Sequence, residues 1–385
     1  MWFSEEQELL SRMVDRFGRE QLAPLAAEID RDERFPRETW DKMAELGLLG
    51  VGIPEAYGGS GGGVVEECIL GEGLARYCVS TASCWGSHVD LCMANINRNG
   101  TEEQKRRLLP DLCAGRKIGG MAMTEPGAGS DVMSMTTRAV RDGDSFVLNG
   151  GKTFITNGPI GDLFLVYAST TPGAKGRGVT AFIVERDFPG FSTGRKFEKL
   201  GWRGSPTGEL IFENCRVPAE NVIGDINGGG RVLLSGLNSE RLIVAAESLG
   251  LARACLEDSV VYAKQREQFG QRIADFQMIQ EKLARMAVKL EAAKAMLWSQ
   301  ASEMAIRGPA GLALETAATK LFASETAVEN ALAATQIFGG YGYTREFPVE
   351  RYLRDSRIMT IGAGTSEVMC HIIFRQLDKR FGVSA

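Results

Sequence analysis

The stretch "GELIFENCRVPAENVIGDINGGG" (Gly208–Gly230) decides how this chain is organised. Its first ten residues form a short run of strand-favouring type, and its last seven, "GDINGGG", are a break that neither helix nor strand tolerates. Working upstream, "SFVLNG" (145–150), "FLVYAS" (164–169) and "VTAFIVE" (179–185) are further β-rich runs separated by glycine, proline and asparagine turns. Together they predict a small antiparallel β-domain over residues 119–225.

Both flanks change period. From Ser4 to residue 118 apolar residues recur three and four apart, with breaks at "ERFPRETW" (33–40) and "GIPEAYGGSGGG" (52–63), which predicts a helical domain over 1–118. Downstream, residues 226–385 read as a helix bundle. In "LARMAVKLEAAKAMLWSQASEMAIRGP" (283–309), Leu283, Met286, Ala287, Leu290, Ala293, Leu297, Ala301 and Met304 share one stripe, and Gly308-Pro309 supplies the stop. The expected fold class is thus multi-domain α+β: helices, a β-barrel-like middle, then an antiparallel bundle.

Composition narrows the function. The 44 basic and 49 acidic residues give a net charge of −5, without the basic excess that binding a nucleic-acid backbone requires. Eight cysteines are scattered with no C-x-x-C pair, so they read as free, mostly buried thiols, and only two histidines are present, so no metal site is expected. The start, "MWFSEEQELL", turns acidic at the fifth residue and spaces Ser4 and Gln7 as a capping box, unlike a targeting peptide. No apolar run approaches membrane-spanning length. The expected location is the cytosol, or a matrix-type reducing compartment if organellar. With only two histidines, enzyme chemistry would have to come from carboxylates or a cofactor, and since no G-x-G-x-x-G follows a strand a Rossmann nucleotide site is not indicated.

Two segments offer cofactor chemistry. "MAMTEPGAGSD" (121–131) is a polar loop of small residues able to lay backbone N–H groups against an anion or a polar ring. "GGKTFITNGP" (150–159) sets Phe154 beside a Thr156-Asn157-Gly158 turn, where an aromatic ring either flanks a planar group or fills a core. With "REQFGQRIADFQ" (266–277), "QIFGGYGYTREFPVERYLRD" (336–355) and "GAGTSE" (362–367), in this order and spacing over nearly the whole chain, the set resembles the FAD-dependent acyl-CoA dehydrogenases.

That resemblance implies a homotetramer built as a dimer of dimers, an acyl-CoA substrate and an electron-transferring flavoprotein as acceptor. It implies that Thr124, Ser130, Phe154 and Thr156 surround the flavin ring and the nearer phosphate, with Thr365 and Glu367 beside the cofactor. Arg266, Phe269, Gln277, Gln336 and Gly340 would hold the adenosine and pyrophosphate half from the adjacent subunit. Many relatives carry tryptophan where this chain has Phe154. In the family reaction a carboxylate takes the α-proton of the thioester while the β-hydrogen leaves as hydride to flavin N5.

Most relatives read Tyr-Glu-Gly-Thr where this chain reads Gly362-Ala363-Gly364-Thr365, so the usual base is missing. Proteins similar to isovaleryl-CoA dehydrogenase share the Gly-Ala-Gly-Thr-Ser-Glu string and carry the base on a bundle helix, in a setting matched here by "LNSERL" (237–242). The expected base is Glu240. Arg241 is expected to serve the CoA phosphates or a structural pair, and Gly362 and Ala363 to leave room for a short branched or small cyclic acyl group. Asp90, where isovaleryl-type relatives have asparagine, reads as a surface residue or partner of His88, as a second or replacement base for a cyclic acyl-CoA, or as a contact to a polar acyl group. An acyl group bound to a carrier protein is the further alternative.

Overall fold

The computed structural model describes residues 3–382. The N-terminal part holds α1 (Glu5–Phe17), α2 (Ala26–Asp32), α3 (Arg37–Glu45), α4 (Val64–Tyr77), α5 (Val79–Gly86), α6 (Asn95–Asn99) and α7 (Glu102–Cys113). The Ser4 capping box forms as the sequence predicts: its hydroxyl accepts from Gln7 N–H while Gln7 Oε1 accepts from Ser4 N–H. Between α5 and α6 the helix widens into a π-helical turn, Ser87–Ala94. Such widening is uncommon and recurs at functional sites, and here it carries Asp90.

The middle part comprises β1 (Gly119–Ala122), β2 (Arg138–Asp142), β3 (Ser145–Thr156), β4 (Leu163–Ser169), β5 (Val179–Glu185), β6 (Phe191–Lys196), β7 (Thr207–Pro218) and β8 (Val222–Ile223). They form one sheet in the order β6-β7-β3-β2-β4-β5-β8, with β1 added beside β4. The expected antiparallel pattern holds for most of it. It fails where β1 runs parallel to β4 over four residue pairs and β2 touches β4 in parallel. The reason is connectivity: β1 returns to its neighbour through some forty residues containing β2 and β3, and so long a crossover permits parallel pairing.

Beyond the "GDINGGG" break come α8 (Gly229–Gln265), a two-residue-stranded hairpin of β9 (Glu267–Gln268) and β10 (Gln271–Arg272), then α9 (Gln277–Arg307), α10 (Ala313–Phe338), α11 (Val349–Met359) and α12 (Ser366–Phe381). On α9 six of the eight stripe residues are fully buried, with Leu283 and Ala287 partly so, and Gly308 ends the helix at φ 75°. Helix α10 lies against α8, α9, α11 and α12.

Helix α8 also packs on α4, and the approach is close because the contact residues are small. A Cβ on Gly250 would sit 2.2 Å from Glu72 O, and one on Gly71 would be 3.5 Å from Ala246 Cβ. One continuous apolar core therefore runs from α1 and α4 into the bundle. That crossing delivers Glu240 and Glu247, on α8, to the helical segment bearing Asp90.

Candidate active site

Glu240 sits on α8 and is 8% exposed. Burial pushes its carboxyl up to about 7, reinforced by Asp90 and opposed by Arg241 and Lys320. Lys320, fully buried on α10, donates from Nζ to Gly364 O at 2.7 Å, and burial pulls its ammonium down to about 8 against the pull of Glu240. One ammonium thus touches the Gly362–Thr365 loop and lies in the field of Glu240. Arg241 donates to Asn238 Oδ1 at 2.8 Å.

The loop itself is tight. Ala363 has φ 54° and Gly364 φ 87°, and the alanine pays roughly 1–3 kcal/mol for a backbone that suits glycine. Gly362 is not crowded: an added Cβ would meet Ile358 O at an ordinary contact distance of 3.5 Å. Thr365 caps α12, its hydroxyl accepting from Val368 N–H at 3.2 Å.

Asp90 is 2% exposed and accepts from Ser239 Oγ at 3.1 Å. Burial raises its carboxyl, with Arg98 and the Ser239 bond opposing. Two of the readings offered for it fail. It is not on the surface, and His88 is not its partner: Nδ1 of that ring accepts from Gly119 N–H at 2.9 Å, so Nε2 carries the proton toward Leu112 O at 3.1 Å. Burial pushes His88 down to about 4, and it stays neutral as a clamp between helix and sheet.

The cofactor candidates divide into two groups. Thr124 and Phe154 are neighbours, since Thr124 O accepts from Thr153 N–H at 2.9 Å. A bulge in β3 between Lys152 and Ile155 turns Phe154 outward at φ 58°, where its ring is 65% exposed and stacks on Phe197 at 5.0 Å. Thr156 ends β3, partly buried, and Ser130 is exposed in the loop after β1. Beneath them lies a pair that the sequence reading missed. Lys152 Nζ donates to Glu125 Oε1 at 2.8 Å and to Met123 O at 3.0 Å. Burial pushes Glu125 up, but the ammonium and donors from Thr136 and Thr137 outweigh it and hold the carboxyl at about 2. The sequence signal was present, since Glu125 falls inside the "TEPGAGSD" loop.

In the second group Arg266, Gly340 and Tyr341 line a cleft of about 450 Å³ with Phe338 and Gln268, the Arg266 guanidinium lying 6.0 Å from the Tyr341 ring centre. Phe269 is 95% exposed on the tip between β9 and β10, and Gln277 and Gln336 are exposed; Glu367, exposed in the first turn of α12, goes with Thr365 in the first group. Three features of this surface suit a flavin dinucleotide. A flat exposed ring is held in a strained backbone at Phe154, a cation borders a cleft over unhindered glycine at Gly340, and Ser366 Oγ is buried without a partner at the start of α12. Among the described residues no group of three or more His, Cys, Asp or Glu side chains is gathered to hold a metal ion, and no helix is long and apolar enough to cross a membrane.

Helices α8 and α10, in the second helical part beyond the β part, set the buried Glu240 in the field of the lysine that holds the Gly362–Thr365 loop. Models of the acyl-CoA dehydrogenase N-terminal, middle and C-terminal domains match residues 4–116, 120–215 and 227–377, and the chain belongs to that family. It is 44% identical to an isovaleryl-CoA dehydrogenase of Solanum tuberosum over 98% of this chain and 92% of that one. It is 45% identical to an isovaleryl-CoA dehydrogenase of Pongo abelii, over 98% and 90%. The solved butyryl-CoA dehydrogenase of Megasphaera elsdenii superposes with a TM-score of 0.94 at 38% identity, over 97% and 98% of the two chains.

Proposed function

We propose that this acyl-CoA dehydrogenase oxidises the α,β bond of a short branched acyl-CoA thioester, resembling isovaleryl-CoA, with Glu240 as the base. The observation carrying this reading is that carboxylate: buried, held near pH 7, and in the field of the lysine that anchors the Gly362–Thr365 loop. FAD, when bound, supplies the acceptor for the β-hydrogen. The chain's own residues do the rest. Glu240 receives the α-proton, and its raised proton affinity suits it to that weakly acidic carbon. Lys320 keeps the loop closed against α10, and Gly362 leaves volume for a branch at the acyl wall. A positioned base contributes roughly 10²- to 10⁴-fold, about 3 to 5 kcal/mol.

The cofactor assignments keep the two groups described: Thr124, Ser130, Phe154, Thr156, Thr365 and Glu367 on the flavin side, and Arg266, Phe269, Gln277, Gln336 and Gly340 toward the adenosine half of a neighbouring copy. The 95% exposure of Phe269 supports that sharing and the homotetramer that goes with it. Arg241 and Ala363 are assigned to the substrate side. We read the acceptor as an electron-transferring flavoprotein, the compartment as a reducing one, and the three parts as domains 1–118, 119–225 and 226–385. A second reading has Asp90 as an additional base for a cyclic acyl-CoA, or the thioester borne by a carrier protein; the burial of Asp90 favours keeping it.

The test is anaerobic bleaching of the flavin by isovaleryl-CoA. Glu240→Gln is expected to slow it at least about a hundredfold. If Asp90→Asn alone abolishes bleaching while Glu240→Gln does not, the roles are reversed.

A further inference from the structure

The Lys152–Glu125 pair beneath the flavin-side candidates has no part in the reading above. Its side chains are 0% and 4% exposed, and among the described residues no other ion pair is buried so deeply on both sides. Its polar atoms are all engaged. Glu125 Oε2 accepts from Thr136 N–H at 2.6 Å and from Thr136 Oγ1 at 2.8 Å, while Oε1 accepts from Thr137 N–H at 2.9 Å as well as from Lys152 Nζ. The ammonium turns its other hydrogens to Met123 O and, at 3.8 Å, to Met135 Sδ.

This network fixes the segments proposed to meet the flavin ring. Met123 and Glu125 flank Thr124, so one ammonium grips the chain on both sides of that threonine. Glu125 also closes the turn that follows: its N–H donates to Ala128 O at 3.2 Å and its carbonyl accepts from Ala128 N–H at 3.0 Å, which sets where the run to Ser130 begins. On β3, Lys152 pairs with Leu210 and Ile155 with Gly208, so Thr153 and Phe154 together oppose the single residue Glu209. In that bulge the Thr153 N–H leaves the ladder for Thr124 O, and Phe154 stands out in a left-handed backbone. Such a backbone at a bulky residue persists only where the surroundings over-determine it. Here they do so through the ladder to β7 and through an ammonium clamped two residues before the ring. The loop itself is open on its outer side, where no neighbouring atom comes within 4 Å of a Cβ built on Gly127 or Gly129.

As a stabiliser alone the pair is a poor choice, because an ion pair taken out of water gains little over apolar side chains of the same volume. What apolar side chains lack is direction, and this pair directs bonds to three separate segments. We infer that Lys152, acting through Glu125 and Met123 O, is a positioning residue for the flavin: it locks the Thr124–Ser130 loop and the Phe154 bulge in one arrangement and so sets how the ring is seated. This rests on the flavin-side assignments of Thr124, Ser130 and Phe154 proposed above.

The experiment uses the full chain loaded with FAD. It reads the visible circular dichroism of the flavin, which reports the asymmetry of its surroundings, and the rate at which fluorescent FAD is released on dilution. Lys152→Met alone would strand a buried carboxylate without its counter-charge, so the variant is Lys152→Met with Glu125→Gln, whose amide oxygen still serves Thr136. FAD is expected to leave about tenfold faster or more, with altered dichroism, while the cofactor-free chain melts within about 5 degrees of the parent. The inference is overturned if the double variant keeps the parent's dichroism or release rate. It is also overturned if the cofactor-free chain melts further below the parent than that, which would make the pair a support of the fold alone. Phe154→Leu separates the two ways of failing. If it changes the dichroism and the double variant does not, the assignment of Phe154 stands and only the role of Lys152 falls; if neither changes it, the flavin-side assignment falls too.

Discussion

Two regions of the molecule treat their unusual residues in opposite ways. Around Glu240 the unusual groups are titratable and buried, and burial, Asp90, Arg241 and Lys320 together set its proton affinity. Around the β9–β10 hairpin the unusual groups are apolar and exposed: Phe269 at 95% and Tyr343 at 94% have little of this chain to lie against. An interior that strains electrostatics is offset by chemistry or a ligand, whereas a surface that strains the hydrophobic effect is relieved by contact with another molecule. The proton-transfer site is therefore expected to be complete in one chain, and the outer cofactor site to need two.

The largest expected effect tests the interior half. Glu240→Gln should cut anaerobic flavin reduction about a hundredfold or more while leaving FAD bound, measured by stopped-flow bleaching. Next comes the pH profile. Because burial holds Glu240 at about 7, the proposed base is ionised above that value, so the bleaching rate of the parent should rise through pH 7 and level off. Lys320→Gln removes a cation that favours the ionised form, so the midpoint should move to higher pH and the rate at pH 7 should fall several-fold. A midpoint that stays put would detach Lys320 from Glu240 and blur the contrast between the regions.

The exterior half is tested by Phe269→Ser. Retention of FAD on dilution should weaken about tenfold and the oligomer should loosen, seen by light scattering, with little change in the melting temperature of the cofactor-free chain. If that temperature falls sharply, the ring belongs to its own chain and the comparison fails.

The smallest effect returns to the interior. Glu247 is pushed up to about 8, so between about pH 4.5 and 8 the folded chain holds a proton that the unfolded chain has lost, and stability declines as pH rises through that window. Glu247→Gln should accordingly raise the melting temperature by a few degrees at pH 8 and by little at pH 5.

The sequence exposed these regions unevenly. Periodicity alone separated the helical flanks from the β-rich middle, because amphipathic stripes such as Leu290–Ala301 and turns such as "GDINGGG" are local signals. The parallel seating of β1 was not legible, since a strand's partner depends on the whole crossover and not on its own four residues. At the site, Glu240 was reached only through a motif resemblance. Nothing in one glutamate's neighbours distinguishes it from a solvated one, and two of the groups that act on it, Asp90 and Lys320, lie far away in sequence. Glu247 was more legible than its omission suggests: a lone acid inside "RLIVAAESLGLA" has apolar neighbours on every helical face.

The seam at residue 119 has a consequence for anyone who would cut this protein apart. Gly119 N–H is bound to His88, Gly119 O accepts from the fully buried Asn157, and that same amide donates to Cys84 O. What looks from the sequence like a boundary is a three-way weld of helix, strand and turn. Chimeras that exchange the first part between relatives will join cleanly only if the residues at 84, 88 and 157 travel together, and a fragment ending at 118 would carry away one side of a joint whose other side stays behind.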